Sequence, residues 1–161
     1  MQLTFICNTV EDTKALASKL GEVVRGGEVL AFHSDLGGGK TTFVKGLAAG
    51  MGVTGVVQSP TFTLSQIHKG TTLELHHYDF YRLSDAGVMG AELSESLDQE
   101  GTVVAVEWGE IVHDILPSNA VSVTIKNNPN DESRTIILEI PETFHYISYA
   151  LQKYQQNEAK A

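Results

Sequence analysis

The sequence predicts a three-layer α/β fold whose sheet is mixed, mostly parallel, with antiparallel hairpin additions. Three observations carry that reading. Val29-Leu30-Ala31-Phe32 and Val103-Val104-Ala105-Val106 are short, apolar and bounded by turn residues, as strands buried on both faces are. Segments of helical periodicity alternate with such strands through the first half of the chain. The second half adds pairs of apolar runs separated by turn-forming residues, which read as hairpins.

In order along the chain, a first helix is expected from about Val10 to Val24. Thr9 serves as N-cap and Asp12, three residues on, as the capping-box carboxylate. Thr13, Leu16, Ala17, Leu20 and Val24 recur at three and four residues and give one apolar face, and Gly26-Gly27 stops the helix. After the strand at Val29–Phe32 comes a glycine-rich loop. It leads into a helix that carries Phe43, Val44, Leu47 and Met51 and closes at Gly50 and Gly52. Phe62 to His68 and Thr72 to Tyr78 are expected as strands joined at Lys69-Gly70, followed by a helix over Val88 to Leu97. Thr102 to Val106 is a buried strand that ends at Glu107-Trp108. Ala120 to Lys126 and Arg134 to Ile140 form a hairpin around Asn127-Asn128-Pro129-Asn130-Asp131. From Glu142 a last helix, over about 142–155, sets Phe144, Ile147, Leu151 and Tyr154 on one face, with a frayed tail beyond Gln155.

No repeat, low-complexity tract or linker divides the 161 residues, so 1–161 reads as one domain. Apolar residues make up 42% and charged residues 19%, an ordinary globular composition. The single cysteine, Cys7, forms no internal disulfide and suits a reducing compartment. No run approaches the roughly 20 apolar residues of a membrane span, and Met1 to Asn8 lacks the basic start of a signal peptide. A soluble, cytoplasmic protein with no membrane partner is expected. Twenty acidic against eleven basic residues give a net charge of −9, and the basic residues are scattered. That distribution argues against autonomous binding of DNA or RNA and leaves room for a basic partner.

Chemistry concentrates in Ser34-Asp35-Leu36-Gly37-Gly38-Gly39-Lys40-Thr41-Thr42. Convergent backbone amides can cradle an anion where glycines take positive φ, and the following helix turns its positive end toward the phosphates. Gly37, Gly38 and Gly39 meet the first need and the helix starting near Lys40 the second. Lys40 would reach the β- and γ-phosphates, and the Thr41 hydroxyl would complete a magnesium shell. Ser34 stands at the first glycine position of G-x-x-x-x-G-K-[ST]. The competing reading is a glycine-rich turn with a chance Gly-Lys-Thr. The strand before and the helix after favour a P-loop NTPase-like fold with nucleotide binding.

Two carboxylates stand at strand ends. Glu107 closes a four-residue apolar strand and is the expected second magnesium ligand, against a bland reading as a surface acid. Asp79, in His76-His77-Tyr78-Asp79-Phe80-Tyr81-Arg82, would position or deprotonate an attacking water, unless it forms a salt bridge with Arg82. His76 and His77 point to opposite faces of a strand, which argues against a shared zinc ion. The Ser59 and Thr61 hydroxyls of Ser59-Pro60-Thr61-Phe62 either sense a γ-phosphate or cap a turn.

Taken in order, these segments resemble the TsaE (YjeE) family, P-loop ATPases of bacterial threonylcarbamoyladenosine synthesis on tRNA. The resemblance spans about residues 9–134. It rests on Leu36-Gly37-Gly38-Gly39-Lys40-Thr41-Thr42, Ser59-Pro60-Thr61-Phe62-Thr63-Leu64, His77-Tyr78-Asp79-Phe80-Tyr81-Arg82-Leu83, Val106-Glu107-Trp108 and Leu116-Pro117. It implies an ATPase that is weak alone and acts on a complex of the TsaB and TsaD proteins, resetting that transferase between turnovers and meeting tRNA only indirectly. The implied cofactors are ATP or ADP and Mg2+. The implied catalytic residues are Asp79 and Lys40. Leu36, Gly37, Gly38, Gly39, Lys40, Thr41 and Thr42 would bind the nucleotide, with Val10 and Arg134 near the base, and Thr41 and Glu107 would hold the metal. Trp108 matches an aromatic position typical of the family, while Ser34 departs from the glycine common there. Two other classes fit an ATP site: a small-molecule kinase, disfavoured because Arg25, Arg82 and Arg134 make no arginine-rich lid, and a non-catalytic, nucleotide-gated assembly factor.

Overall fold

The computed structural model describes residues 1–35 and 37–160. Its elements run β1 (Gln2–Cys7), α1 (Val10–Val23), β2 (Val29–His33), α2 (Lys40–Gly50), β3 (Ser65–Lys69), β4 (Glu74–Asp79), α3 (Gly87–Asp98), β5 (Thr102–Glu107), β6 (Val121–Asn127), β7 (Arg134–Glu139) and α4 (His145–Glu158). The seven strands form one sheet in the order β1-β7-β6-β2-β5-β4-β3. β2 pairs in parallel with β5 and β6, and β4 with β5, while β3 and β7 run against their neighbours. A parallel centre edged by antiparallel strands is the expected mixed α/β architecture.

Side-chain parity divides the core in two. Leu30 and Phe32 of β2, Val103 and Ala105 of β5, and Ile136 of β7 face the side covered by α1, α2 and α4. Val29, Val104, Val106 and Tyr78 face the other side, under Leu93 of α3 and Val112. The same alternation puts Asp79 and Glu107, the last residues of β4 and β5, on the α2 side.

Local chemistry explains the entry of α1. Asp12 N–H donates to Thr9 Oγ1 at 3.0 Å, and Asp12 Oδ2 accepts from Thr9 N–H at 2.9 Å, a complete capping box. At the entry to β2, the fully buried Glu28 accepts from the Arg25 and Gly26 amides at 2.7 and 2.8 Å and from the Tyr146 hydroxyl, tying α4 to the sheet. Burial and the Glu28 carboxylate push the Tyr146 phenol upward. No helix among the described residues is long and apolar enough to cross a membrane.

Several expectations shift. β1 was not anticipated, although Leu3, Phe5 and Cys7 alternate as its buried face and pair it with β7. The strand expected from Phe62 begins at Ser65. The chain first turns at Pro60–Leu64, where Leu64 N–H donates to Pro60 O at 2.6 Å and Leu64 takes φ 67°, leaving Phe62 exposed. Its partner strand starts at Glu74 after a turn in which Gly70 N–H donates to Leu73 O at 2.8 Å. The last helix does not fray at Gln155 but continues to Glu158. Gln155 Nε2 donates to Thr4 O at 2.9 Å, and Tyr154 packs against the core, so the final turns are docked on β1.

α1 and α2 cross at glycines. A Cβ added at Gly46 would lie 2.8 Å from Ala17 Cβ and 2.5 Å from Lys14 O. Alanine is the better helix former by about 1 kcal/mol, so an open site would make Gly46→Ala stabilising. The crowding predicts the opposite sign, a loss of about 1–3 kcal/mol measured by urea unfolding. A stabilised variant would show that the helices do not meet this closely.

Candidate functional site

The site lies where β2, β5 and β4 end and α2 begins. Cα register aligns Phe32 with Glu107 across β2 and β5, and Glu107 with Asp79 across β5 and β4. Gly37 and Gly39 take φ of 75° and 105°, which only glycine adopts without strain, and Gly39 turns the chain into α2. The opening of α2 thus faces the strand ends across a cleft of about 340 Å³. Gly37 to Thr42, Ser59, Thr61, Asp79, Tyr81, Glu107 and Trp108 line it. Leu36, expected among the nucleotide-binding residues, lies outside the described residues.

Lys40 is buried, with its ammonium within 3.3 Å of Ser34 O, 3.0 Å of Ser34 Oγ and 3.2 Å of Asp35 O. The Trp108 ring lies 4.6 Å from that ammonium, within cation–π range. Trp108 has φ 57°, a conformation costly for a side chain of this size, and it turns the chain sharply out of β5. The turn sets its ring 4.9 Å from that of Tyr81 and over the loop.

The two acids are held differently. Glu107 and His77 are both buried, with His77 Nε2 2.9 Å from Glu107 Oε1. An ionised carboxylate only accepts, so His77 Nε2–H donates to Glu107, while His77 Nδ1 has no partner among the described residues. Burial and neighbouring His77 lower the His68 pKa. Asp79 Oδ2 accepts from the Thr61 hydroxyl at 2.8 Å and Oδ1 from the Tyr81 amide at 3.0 Å, while Ser59 Oγ lies 2.7 Å from Thr61 Oγ1. The alternative Asp79–Arg82 salt bridge does not form; the Arg82 guanidinium lies 4.6 Å from the centre of the Phe62 ring. His76 turns to the opposite face, toward Ser96 Oγ at 2.7 Å and Glu74 Oε2 at 3.1 Å.

Val10 and Arg134 do not line this cleft. They line a smaller recess of about 60 Å³ on the other flank of the loop, together with Gly38, Gly39 and Thr42. Arg134 Nη1 is engaged by Glu132 O at 2.6 Å and Ser133 O at 3.2 Å. The two hollows share those three loop residues. The pairing of Thr61 with Asp79, of His77 with Glu107 and of Ser34 with Lys40 was not read from sequence. The motifs contain these polar residues but name no partner for any of them.

The donor set fits a hard cation. The Thr41 hydroxyl and the Asp79 and Glu107 carboxylates supply oxygen to one cleft. Among the described residues no three His, Cys, Asp or Glu side chains gather as a complete ligand cage. Magnesium commonly takes one or two protein ligands and completes its shell with phosphate and water.

Comparison with known proteins finds a match to a family model described as "TsaE: Threonylcarbamoyl adenosine biosynthesis protein TsaE" over residues 7–136. A protein of Bacillus subtilis (strain 168) named tRNA threonylcarbamoyladenosine biosynthesis protein TsaE is 34% identical over 144 residues, 89% of this chain and 90% of that protein. One of the same name from Mycobacterium leprae (strain TN) is 39% identical over 129 residues, 75% and 80% of the two chains. The crystal structure of Bacillus subtilis YdiB superposes with a TM-score of 0.81 at 31% identity, covering 96% of this chain and 97% of that one.

Removing the imidazole from the buried pair would leave the Glu107 carboxylate desolvated. His77→Ala is therefore expected to destabilise the fold by about 3 kcal/mol in urea unfolding, and His77→Gln, which can still donate, by less. Equal losses for the two variants would show that the bond to Glu107 contributes nothing.

Proposed function

This chain belongs to the TsaE family, and on that premise we propose that it is a magnesium-dependent ATPase required for threonylcarbamoyladenosine modification of tRNA. One observation carries the proposal: the glycine-rich start of α2, with Lys40 and Thr41, shares a single cleft with the carboxylates of Asp79 and Glu107. That grouping supplies each part phosphoryl transfer to water needs.

In this reading the loop amides and Lys40 bind the phosphates, with the positive end of α2 behind them. Thr41 and Glu107 hold Mg2+, which when bound neutralises charge developing on the phosphate oxygens. Asp79 orients the attacking water and takes up its proton, and Thr61 and the Tyr81 amide fix the direction of its carboxylate. Val10 and Arg134 border the recess into which the base extends. Trp108 and Tyr81, with their rings 4.9 Å apart, wall the phosphate end of the cleft. The partners are a TsaB–TsaD complex, which hydrolysis resets between turnovers, and tRNA is met only through that complex. The setting is the cytoplasm.

Lys40→Ala is expected to abolish ATP-dependent modification in a mixture reconstituted with TsaB, TsaD and tRNA, read as modified nucleoside per tRNA. Undiminished modification would sink the ATPase role. Asp79→Asn should bind ATP within about threefold of wild type yet hydrolyse it at least about a hundredfold more slowly in single-turnover assays with the partners present. Normal turnover would remove Asp79 from the chemistry. Absence of hydrolysis by the wild-type chain with its partners would instead favour a nucleotide-gated assembly factor, and a phosphorylated metabolite formed alongside ADP would favour a kinase.

A further inference from the structure

Ser34 occupies the position where the loop leaves β2, and its side chain is fully engaged. Its hydroxyl accepts from Lys40 Nζ at 3.0 Å and donates to Asp35 O at 3.0 Å. With its own proton so committed, the hydroxyl turns lone pairs toward the ammonium. Two more acceptors, Ser34 O and Asp35 O, lie at 3.3 and 3.2 Å. An ammonium has three N–H donors, so these three acceptors match its whole capacity, with the Trp108 face on a further side. Any residues at 34 and 35 would offer the two carbonyls. Only the hydroxyl depends on serine.

Ser34 also shapes the loop. A Cβ added at Gly38 would lie 2.9 Å from Ser34 Cβ and closer still to its Oγ, so the serine and Gly38 fit as a pair. We propose that Ser34 sets nucleotide affinity: its hydroxyl tethers Lys40 to the mouth of β2, and an arriving polyphosphate must draw Lys40 away from it. The proposal rests on reading the cleft as a nucleotide site. A neutral hydroxyl bonding a cation is a modest hold, so the tether lowers affinity without blocking the site.

Ser34→Ala keeps the Cβ and removes the acceptor. Titration calorimetry with Mg-ADP on the full chain is expected to show binding about three- to tenfold tighter than wild type. Unchanged affinity would overturn the proposal, and so would weaker binding, which would make the hydroxyl a phosphate donor. A second measurement needs no nucleotide. In thermal unfolding, Ser34→Ala should lower Tm more in the wild-type background than in a Lys40→Met background, where only the bond to Asp35 O is left to lose. Additive effects of the two substitutions would overturn the tether. Coupling in a chain that binds no nucleotide would uphold the tether and sink the proposed function. Nucleotide binding without coupling would do the reverse.

Discussion

The amino end of α2 is the constraint on which the rest depends. The first amides of any helix lack partners within it and must find them elsewhere. α1 meets that need with Thr9, whereas α2 is entered through Gly39, which makes no side-chain capping bond. The leading amides of α2, with the partial positive charge of the helix behind them, are therefore directed at the cleft. Close packing of α1 on α2 through Gly21, Gly46 and Gly50 fixes the axis along which they point.

Sheet order completes the site from that starting point. β5 lies between β2 and β4 although it follows both in sequence, so the strand that ends at Glu107 sits beside the one that feeds the loop. Ligands of open α/β sheets gather at the carboxyl ends of such strands. Alternation along β4 and β5 then directs every second residue toward α2. Leu75 and Val103 fill the core there, and Asp79 and Glu107, on the same faces, emerge at the rim.

Most of this was legible where one residue type has one physical use. Thr9 with Asp12 announced the start of α1, the apolar runs announced β2 and β5, and the glycines before Lys40 announced the loop. Legibility failed where tertiary contact decides. β1 is read as a strand only once β7 offers it an edge, since its exposed Ile6 spoils the alternation. The turn at Pro60–Leu64 competes with the strand propensity of Phe62-Thr63-Leu64, and Leu64 at positive φ is not foreseeable from composition. The docked end of α4 depends on Gln155 meeting a carbonyl of β1, more than a hundred residues away in sequence. At the site, residue types were read but their partners were not. Pairings such as His77 with Glu107 follow from register across β4 and β5, which no local pattern encodes.

The partners of the two acids divide the cleft into a fixed part and an adjustable one. Glu107 is held by an imidazole that is itself fully buried, so its carboxylate moves only if the core of β4 and β5 moves with it. Interiors packed at crystal-like density resist such shifts. One oxygen of Asp79 is held by the Tyr81 amide, but the other is held by Thr61, which belongs to the surface turn that also carries Ser59 and the exposed Phe62. A hydroxyl on a loop can exchange partners at far smaller cost than a buried imidazole. A group that binds a cation gains from being fixed beforehand, because binding then costs little reorganisation. Asp79 is oriented by the Tyr81 amide on one oxygen, while the other, held only by a hydroxyl, can accept from an incoming water without disturbing the core. The contrast between core imidazole and loop hydroxyl thus supports the proposed division of roles, metal binding by Glu107 and proton handling by Asp79, on grounds separate from the motif that first singled them out.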